Sequence, residues 1–164
     1  MLISKKLQDM INTQINRELY SAYLYGAMAA YFDASTWKGM AHWMKVQAKE
    51  ELQHVQRFYA YVYDRGGTVT LEAIEKPPSS WASPLAAFKD AYEHEKKVTG
   101  MINGIFKAAQ QEDDYATQQM LQWFVSEQVE EESNALTIVQ QLERIKDSVH
   151  GLFMLDAQLG KREG

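Results

Sequence analysis

The chain has 164 residues, enough for one domain and too few for two of the usual size. A 46% hydrophobic and 24% charged composition belongs to a globular rather than a disordered chain, and a net charge of −5 argues against a nucleic-acid binder working through bulk charge. The absence of cysteine excludes disulfides, thiolate metal sites and cysteine nucleophiles.

Taken from the N-terminus, Gln8, Asp9, Asn12 and Gln14 interrupt the opening residues too early for a basic-then-apolar leader. No apolar run approaches the roughly 18–20 residues of a membrane span, so a cytoplasmic protein with no membrane partner is expected. The spacing predicts a first helix near 5–32. Asp33-Ala34-Ser35-Thr36 then interrupts, with Ser35 or Thr36 the expected cap of a second helix near 37–64. All three prolines lie between Pro77 and Pro84, which leaves 76 residues before them and 80 after them free of helix breakers. The stretch from Arg65 through Gly66-Gly67 to Ser83 is long enough for a crossover connection. A third helix is expected near 84–111. Glu112-Asp113-Asp114 closes it and suits the start of a fourth near 114–145. A short amphipathic segment near 147–159 follows, carrying Val149, Leu152, Phe153 and Leu159, with Gly160 as its stop. The expectation is one all-α domain over 1–164: a four-helix bundle with one long crossover between helices two and three, and a short fifth helix.

The inward face of each helix, followed by steps of three and four, is broken by a carboxylate. The first face runs Ile11, Gln14, Glu18, Ala22, Tyr25 and the second Met44, Gln47, Glu51, His54, Phe58. The third runs Tyr92, Glu95, Val98, Ile102 and the fourth Phe124, Gln128, Glu131, Ala135. Two carboxylates about 4 Å apart repel by about 4 kcal/mol at an effective dielectric of 20. Four at one level must therefore share protons, pair with cations or hold metal. Cationic side chains are scarce nearby, since Ala108–Glu143 holds eight acids and no Lys or Arg. Metal is the favoured reading. Glu51-Leu52-Gln53-His54 puts a carboxylate and an imidazole three apart on one face. Glu-x-x-His with glutamates from other helices is the ligand pattern of di-iron and di-manganese carboxylate bundles. Oxygen ligands with one imidazole suit a first-row divalent ion such as iron, with manganese and zinc only weakly excluded.

Asn16-Arg17-Glu18-Leu19-Tyr20, Glu50-Glu51-Leu52-Gln53-His54, Glu93-His94-Glu95 and Glu127-Gln128-Val129-Glu130-Glu131-Glu132 together resemble the ferritin family, specifically its non-haem bacterial and archaeal type, and the resemblance spans essentially the whole chain. It implies a ferroxidase and iron store: Fe(II) oxidised by dioxygen or peroxide and kept as a hydrated ferric oxide inside a cage of 24 identical subunits. It implies one iron site at Glu18, Glu51 and His54 and a second at Glu51, Glu95 and Glu131, with Glu51 bridging. Glu50, Glu127 and Glu130 resemble a third, weaker site, which Glu95 is placed to share. Gln128 and Tyr25 match an amide and a tyrosine beside the centre. The chain departs from bacterioferritins and rubrerythrin-like proteins in lacking a second Glu-x-x-His, because Glu127-Gln128-Val129-Glu130 ends in Glu. Leu52 stands where bacterioferritins carry a haem-binding methionine, so no haem is expected. Gln118, Gln119 and Leu121 replace the acids that line the three-fold pores of animal ferritins.

Competing readings are a di-iron oxygenase or peroxidase on the same bundle, a DNA-binding mini-ferritin, and a metal-free helical scaffold. The first is disfavoured by the missing second Glu-x-x-His, the second because the ligand set is complete within one chain. The third requires that replacing Glu18 or Glu51 leave metal binding unchanged. Glu93, Glu112, Glu132 and Glu143 read as solvated faces, and His42, His94 and His150 as structural or exposed. The four tryptophans read as core or inter-chain contacts, and the methionines as packing.

Overall fold

The computed structural model describes residues 2–164. Five helices follow one another: α1 (Lys5–Ala34), α2 (Lys38–Asp64), α3 (Pro84–Gln111), α4 (Tyr115–Ile145) and α5 (Val149–Leu159). There is no strand among the described residues. The helix limits fall within two residues of those expected from the sequence. Short turns make α1–α2 and α3–α4 antiparallel pairs, and the 65–83 crossover joins one pair to the other. The crossover is extended and tied to α1: Asn12 Nδ2 donates to Thr68 O at 3.0 Å, and the Glu72 N–H donates to Asn16 Oδ1 at 3.2 Å.

Three of the long helices start on side-chain caps. The Ser4 hydroxyl accepts from the Leu7 N–H, the Ser83 hydroxyl from Ala86 ahead of Pro84, and the Asp114 carboxylate from Thr117. The start of α2 differs from expectation. Ser35 is the C-cap of α1, Thr36 takes a positive φ of 65°, and the N-cap residue Trp37 makes no side-chain cap bond. The cap comes from α5 instead, because Met40 N–H donates to Asp156 Oδ1 at 2.8 Å. That contact requires Gly39, where an added Cβ would lie 1.7 Å from the Asp156 carbonyl oxygen.

The fifth helix also buries a different face. Leu155 and Leu159 are buried and Leu152 is half-buried, whereas Val149 and Phe153 are exposed. Helix α5 lies across the first turns of α2, so residues four apart near its C-terminal end face the bundle.

The apolar core divides in two. One cluster gathers Met28, Phe32, Met44, Phe88 and Leu142 near the α5 end, and the other Leu7, Ile11, Phe58, Ile102 and Phe124 at the opposite end. The polar interruptions of the four stripes lie between them.

Candidate metal centre

Each long helix delivers one acid to that middle layer. Glu18, Glu51, Glu95 and Glu131 are 1–4% exposed, as buried as the leucines above and below them. His54, one turn after Glu51, points its Nδ1 at Glu51 Oε2 (3.1 Å) and at Glu18 Oε2 (3.6 Å), and its Nε2 at Glu127 Oε1 (3.9 Å). Trp123 and Phe124 meet the imidazole edge-on at 5.5 and 5.8 Å, and Phe58 stacks on Phe124 at 3.9 Å. The ring is therefore held by aromatic walls, which fixes the direction of its nitrogens.

Glutamines hold the carboxylates in place. Gln14 donates to Glu18 Oε1 at 2.7 Å, and Gln47 donates both to Glu51 Oε1 (3.1 Å) and to Glu131 Oε2 (2.7 Å). Gln128 donates to Glu95 Oε2 at 3.1 Å, while the Tyr25 hydroxyl donates to Glu95 Oε1. Gln128 and Tyr25 thus both bond the Glu95 carboxyl. Sequence reasoning placed Gln14 and Gln47 on the inward faces without giving them a role. The readable signal was a Gln four residues before a buried Glu, in both α1 and α2.

Two sets of three side chains bring one potential ligand atom each within 4.8 Å of one another: Glu18, Glu51 and His54, and His54, Glu127 and Glu131. The first is the expected first site. The expected second set, Glu51, Glu95 and Glu131, shares the layer but is not one of these close groups. The Gln47 amide bridges Glu51 and Glu131, and Tyr25 and Gln128 draw Glu95 to their own side. Glu127 is half-buried, Glu130 is exposed, and Glu50 accepts from Arg162 Nη2 at 2.5 Å. That arginine, on the C-terminal tail, is a cation the sequence reading missed.

The protonation pattern shows how the acids coexist. Burial raises the carboxyl of Glu51 well above its ordinary value, and the neighbouring Glu95 raises it further. Burial lifts Glu95 to about 7, and burial together with Glu95 lifts Glu131 to about 8. Burial opposes charge on Glu18 as well, but the nearby His54, together with Glu51 and the Gln14 amide, overcomes it and holds its pKa below the usual range. Burial likewise opposes charge on His54, and Glu18 and Glu51 outweigh it and push the imidazole to about 11. The layer stores protons and one imidazolium where a cation would otherwise balance the acids.

Glu18 Oε2 and Gln47 Oε1 are buried without a hydrogen-bond partner. A buried oxygen that faces ligand-competent atoms and makes no hydrogen bond fits a hard or borderline cation, and the carboxylate and imidazole ligands suit a first-row divalent ion.

Elsewhere, His94 shares a 2.7 Å hydrogen bond with Ser21 Oγ, and burial lowers its pKa to about 4, a structural role as expected. Glu93, Glu112 and Glu143 are exposed. Glu132 is instead half-buried and accepts from Thr99 Oγ1 at 2.5 Å, because α3 packs closely on α4 there.

Residues 8–145 match the family model described as "Ferritin-like domain". The chain is 42% identical over 161 residues to the bacterial non-heme ferritin of Bacteroides fragilis (strain 638R), covering 98% of this chain and 100% of that one. It is 40% identical over 161 residues to the bacterial non-heme ferritin of Staphylococcus aureus (strain USA300), covering 98% and 97% respectively. Among solved structures, an open-pore ferritin from the hyperthermophilic archaeon Archaeoglobus fulgidus superposes with a TM-score of 0.97 at 50% identity, over 98% of each chain.

Proposed function

The chain belongs to the ferritin family, and from that premise we propose that it stores iron by oxidising Fe(II) at the buried carboxylate layer and retaining the product as a hydrated ferric oxide. The observation that carries this reading is the convergence of Glu18, Glu51, Glu95 and Glu131 from four helices on one buried level, with His54 among them and its Nδ1 3.6 Å from a Glu18 Oε2 that makes no hydrogen bond.

Iron is the substrate. Glu18, Glu51 and His54 take one Fe(II), and Glu51, Glu95 and Glu131 a second, with Glu51 joining the two. Glu127 borders the pair from α4, and Glu50 and Glu130 extend the acids outward to a third, weaker position. Anionic oxygens stabilise Fe(III) more than Fe(II), so this ligand set lowers the cost of removing an electron from each ion. Two ions supply two electrons, enough to take dioxygen to hydrogen peroxide or peroxide to water. Binding requires His54 to give up its proton and the acids theirs. Tyr25 and Gln128, through their bonds to Glu95, set that ligand's direction and how tightly it holds its proton.

The proposal extends to assembly as a hollow cage of 24 copies in the cytoplasm, with no haem, nucleic-acid or membrane partner. The similarity to known ferritins over nearly the whole chain supports it. No helix of the described residues is long and apolar enough to cross a membrane.

The test is aerobic Fe(II) loading followed by size-exclusion chromatography, with protein and iron read in the same fractions. Many irons per chain should elute with a very large assembly, and Glu51→Ala should assemble normally but oxidise iron slowly. A plateau at two or three irons per chain would point to a fixed di-iron cofactor. Normal oxidation by Glu51→Ala would remove the site assignment.

A further inference from the structure

The last five residues, Gly160-Lys161-Arg162-Glu163-Gly164, follow α5 and lie back along α2. They start from the close contact of α5 with the first turn of α2, where Asp156 caps Met40. His42 Nε2 shares a 2.8 Å hydrogen bond with the Arg162 carbonyl oxygen. Further along, a Cβ built at Gly164 would lie 2.3 Å from Val46 Cγ1, so Gly164 is pressed onto the helix.

Arg162 is the centre of this strap. Its guanidinium lies 4.4 Å from the centroid of the Trp43 ring, Nη1 donates to the Trp43 carbonyl oxygen at 3.4 Å, and Nη2 donates to Glu50 Oε2 at 2.5 Å. The side chains of Arg162 and Glu50 are only 17% and 29% exposed, so this pair is better shielded than an ordinary surface bridge. A planar, permanently charged guanidinium stacks on an indole and grips a carboxylate at once, which lysine does poorly. Glu50 sits one residue before Glu51, and its electrostatic neighbours include Glu127 and Glu130 as well as Arg162.

We propose that Arg162 is the resident counter-cation of Glu50, so that a divalent ion enters the outer position at Glu50, Glu127 and Glu130 only by displacing the guanidinium and releasing the C-terminal strap from α2. This rests on the reading of those three acids as a third metal position. A guanidinium and a divalent ion cannot share one carboxylate edge without repelling each other, so the two exchange. The third ion is then held more weakly than the inner pair, and its arrival is reported in the 160–164 strap.

The assembled protein is titrated with Co(II) by calorimetry, in wild type, Arg162→Gln, Arg162→Lys and Glu50→Gln. Hydrogen exchange of the peptide ending at Gly164 is followed in the same samples. In wild type, tail exchange should accelerate only as the third equivalent binds. Arg162→Gln should bind that equivalent about tenfold more tightly, leave the first two unchanged and exchange its tail rapidly without metal. Arg162→Lys should fall between, and Glu50→Gln should lose the third ion while its tail exchanges rapidly throughout. Equal third-ion affinity in wild type and Arg162→Gln, or a tail that stays protected as the third ion binds, overturns the proposal. Two tight ions and no third in either protein also overturns it, while the inner pair stands. Failure of wild type to bind any Co(II) removes the metal centre itself and this inference with it.

Discussion

The middle layer of the bundle and the apolar layers on either side of it are built by the same four helices and buried to the same degree, yet they contribute opposite things. Above and below, Phe32, Phe88, Phe58 and Phe124 fill space against one another, and every contact favours the folded chain. Between them, Glu18, Glu51, Glu95 and Glu131 crowd like charges together, and the layer accommodates them by holding protons. Two of the three buried side-chain atoms without a hydrogen-bond partner among the described residues, Glu18 Oε2 and Gln47 Oε1, lie in this layer. The flanks favour folding, and the middle opposes it by holding four acids away from solvent.

Substitutions in the two regions should therefore separate stability from chemistry. The largest effect is expected from Phe58→Ala, which removes the ring stacked on Phe124 and leaves a cavity in the lower core. About 3–5 kcal/mol of stability should be lost in chemical denaturation, with iron oxidation retained by the fraction that stays folded. Glu51→Gln should do the reverse. Its initial oxidation rate should fall about a hundredfold, roughly 2.7 kcal/mol of barrier. Its metal-free stability should stay within about 1 kcal/mol of wild type or rise, because a buried carboxyl pressed by Glu95 is replaced by a neutral isostere. A large stability loss in Glu51→Gln would mean that the acid layer is structural after all.

Much of this contrast was legible in the sequence, because a helix presents one side chain to its core every three or four residues. A glutamate at such a position declares itself, and Glu18, Glu51, Glu95, Glu131, His54 and Gln128 all fall in the buried layer. What stayed hidden depends on chain segments meeting from far apart. Asp156 capping α2 and Arg162 gripping Glu50 each join residues more than a hundred positions apart, and no periodicity relates them. Arg65 acts over a shorter separation of 49 positions, pairing with Asp114 at 2.9 Å while it hydrogen-bonds the nearby Tyr61, and so ties the end of α2 to the start of α4. The exposed face of α5 was misjudged for the same reason, since a short helix takes its inward side from what it lands on. The grouping of Glu131 with His54 and Glu127 rather than with Glu95 involves side-chain directions, with Gln47 bonded to Glu131 and Tyr25 and Gln128 bonded to Glu95, which spacing alone cannot resolve.

A pH series sharpens the comparison further. Glu95 and Glu131 titrate near 7 and 8 in the folded chain against an ordinary value of 4.5. The native state therefore binds more protons than the unfolded chain across that interval, and metal-free stability should fall as pH rises through it. His54 acts with the same sign: its contribution is complete below 6.5 and is lost as pH rises towards about 11. A divalent ion needs those sites deprotonated, so its stabilisation should grow with pH. Calorimetric melting between pH 5 and 8.5 should show Tm declining without metal and a much shallower or reversed slope with saturating Co(II). Parallel slopes would separate the titrating groups from the metal ligands.

The smallest effect is expected where the two regions touch, at Tyr25. Its ring is fully packed in the upper core, while its hydroxyl donates to Glu95 Oε1 in the middle layer. Tyr25→Phe keeps the packing and deletes only the donor, so stability should change by about 1 kcal/mol or less. The consequence belongs to Glu95. Burial raises its pKa, and the Tyr25 and Gln128 hydrogen bonds hold that rise in check. With the phenol gone, the Gln128 hydrogen bond and the charge of His54 still favour the carboxylate but one donor is lost, and Glu95 should keep its proton to higher pH. The second Co(II) equivalent in a pH-dependent titration should then need a higher pH to bind, while the first, which the proposed assignment gives to Glu18, Glu51 and His54, should move little. An equal shift in both equivalents would show that the layer titrates as one unit and that Tyr25 acts on the whole of it.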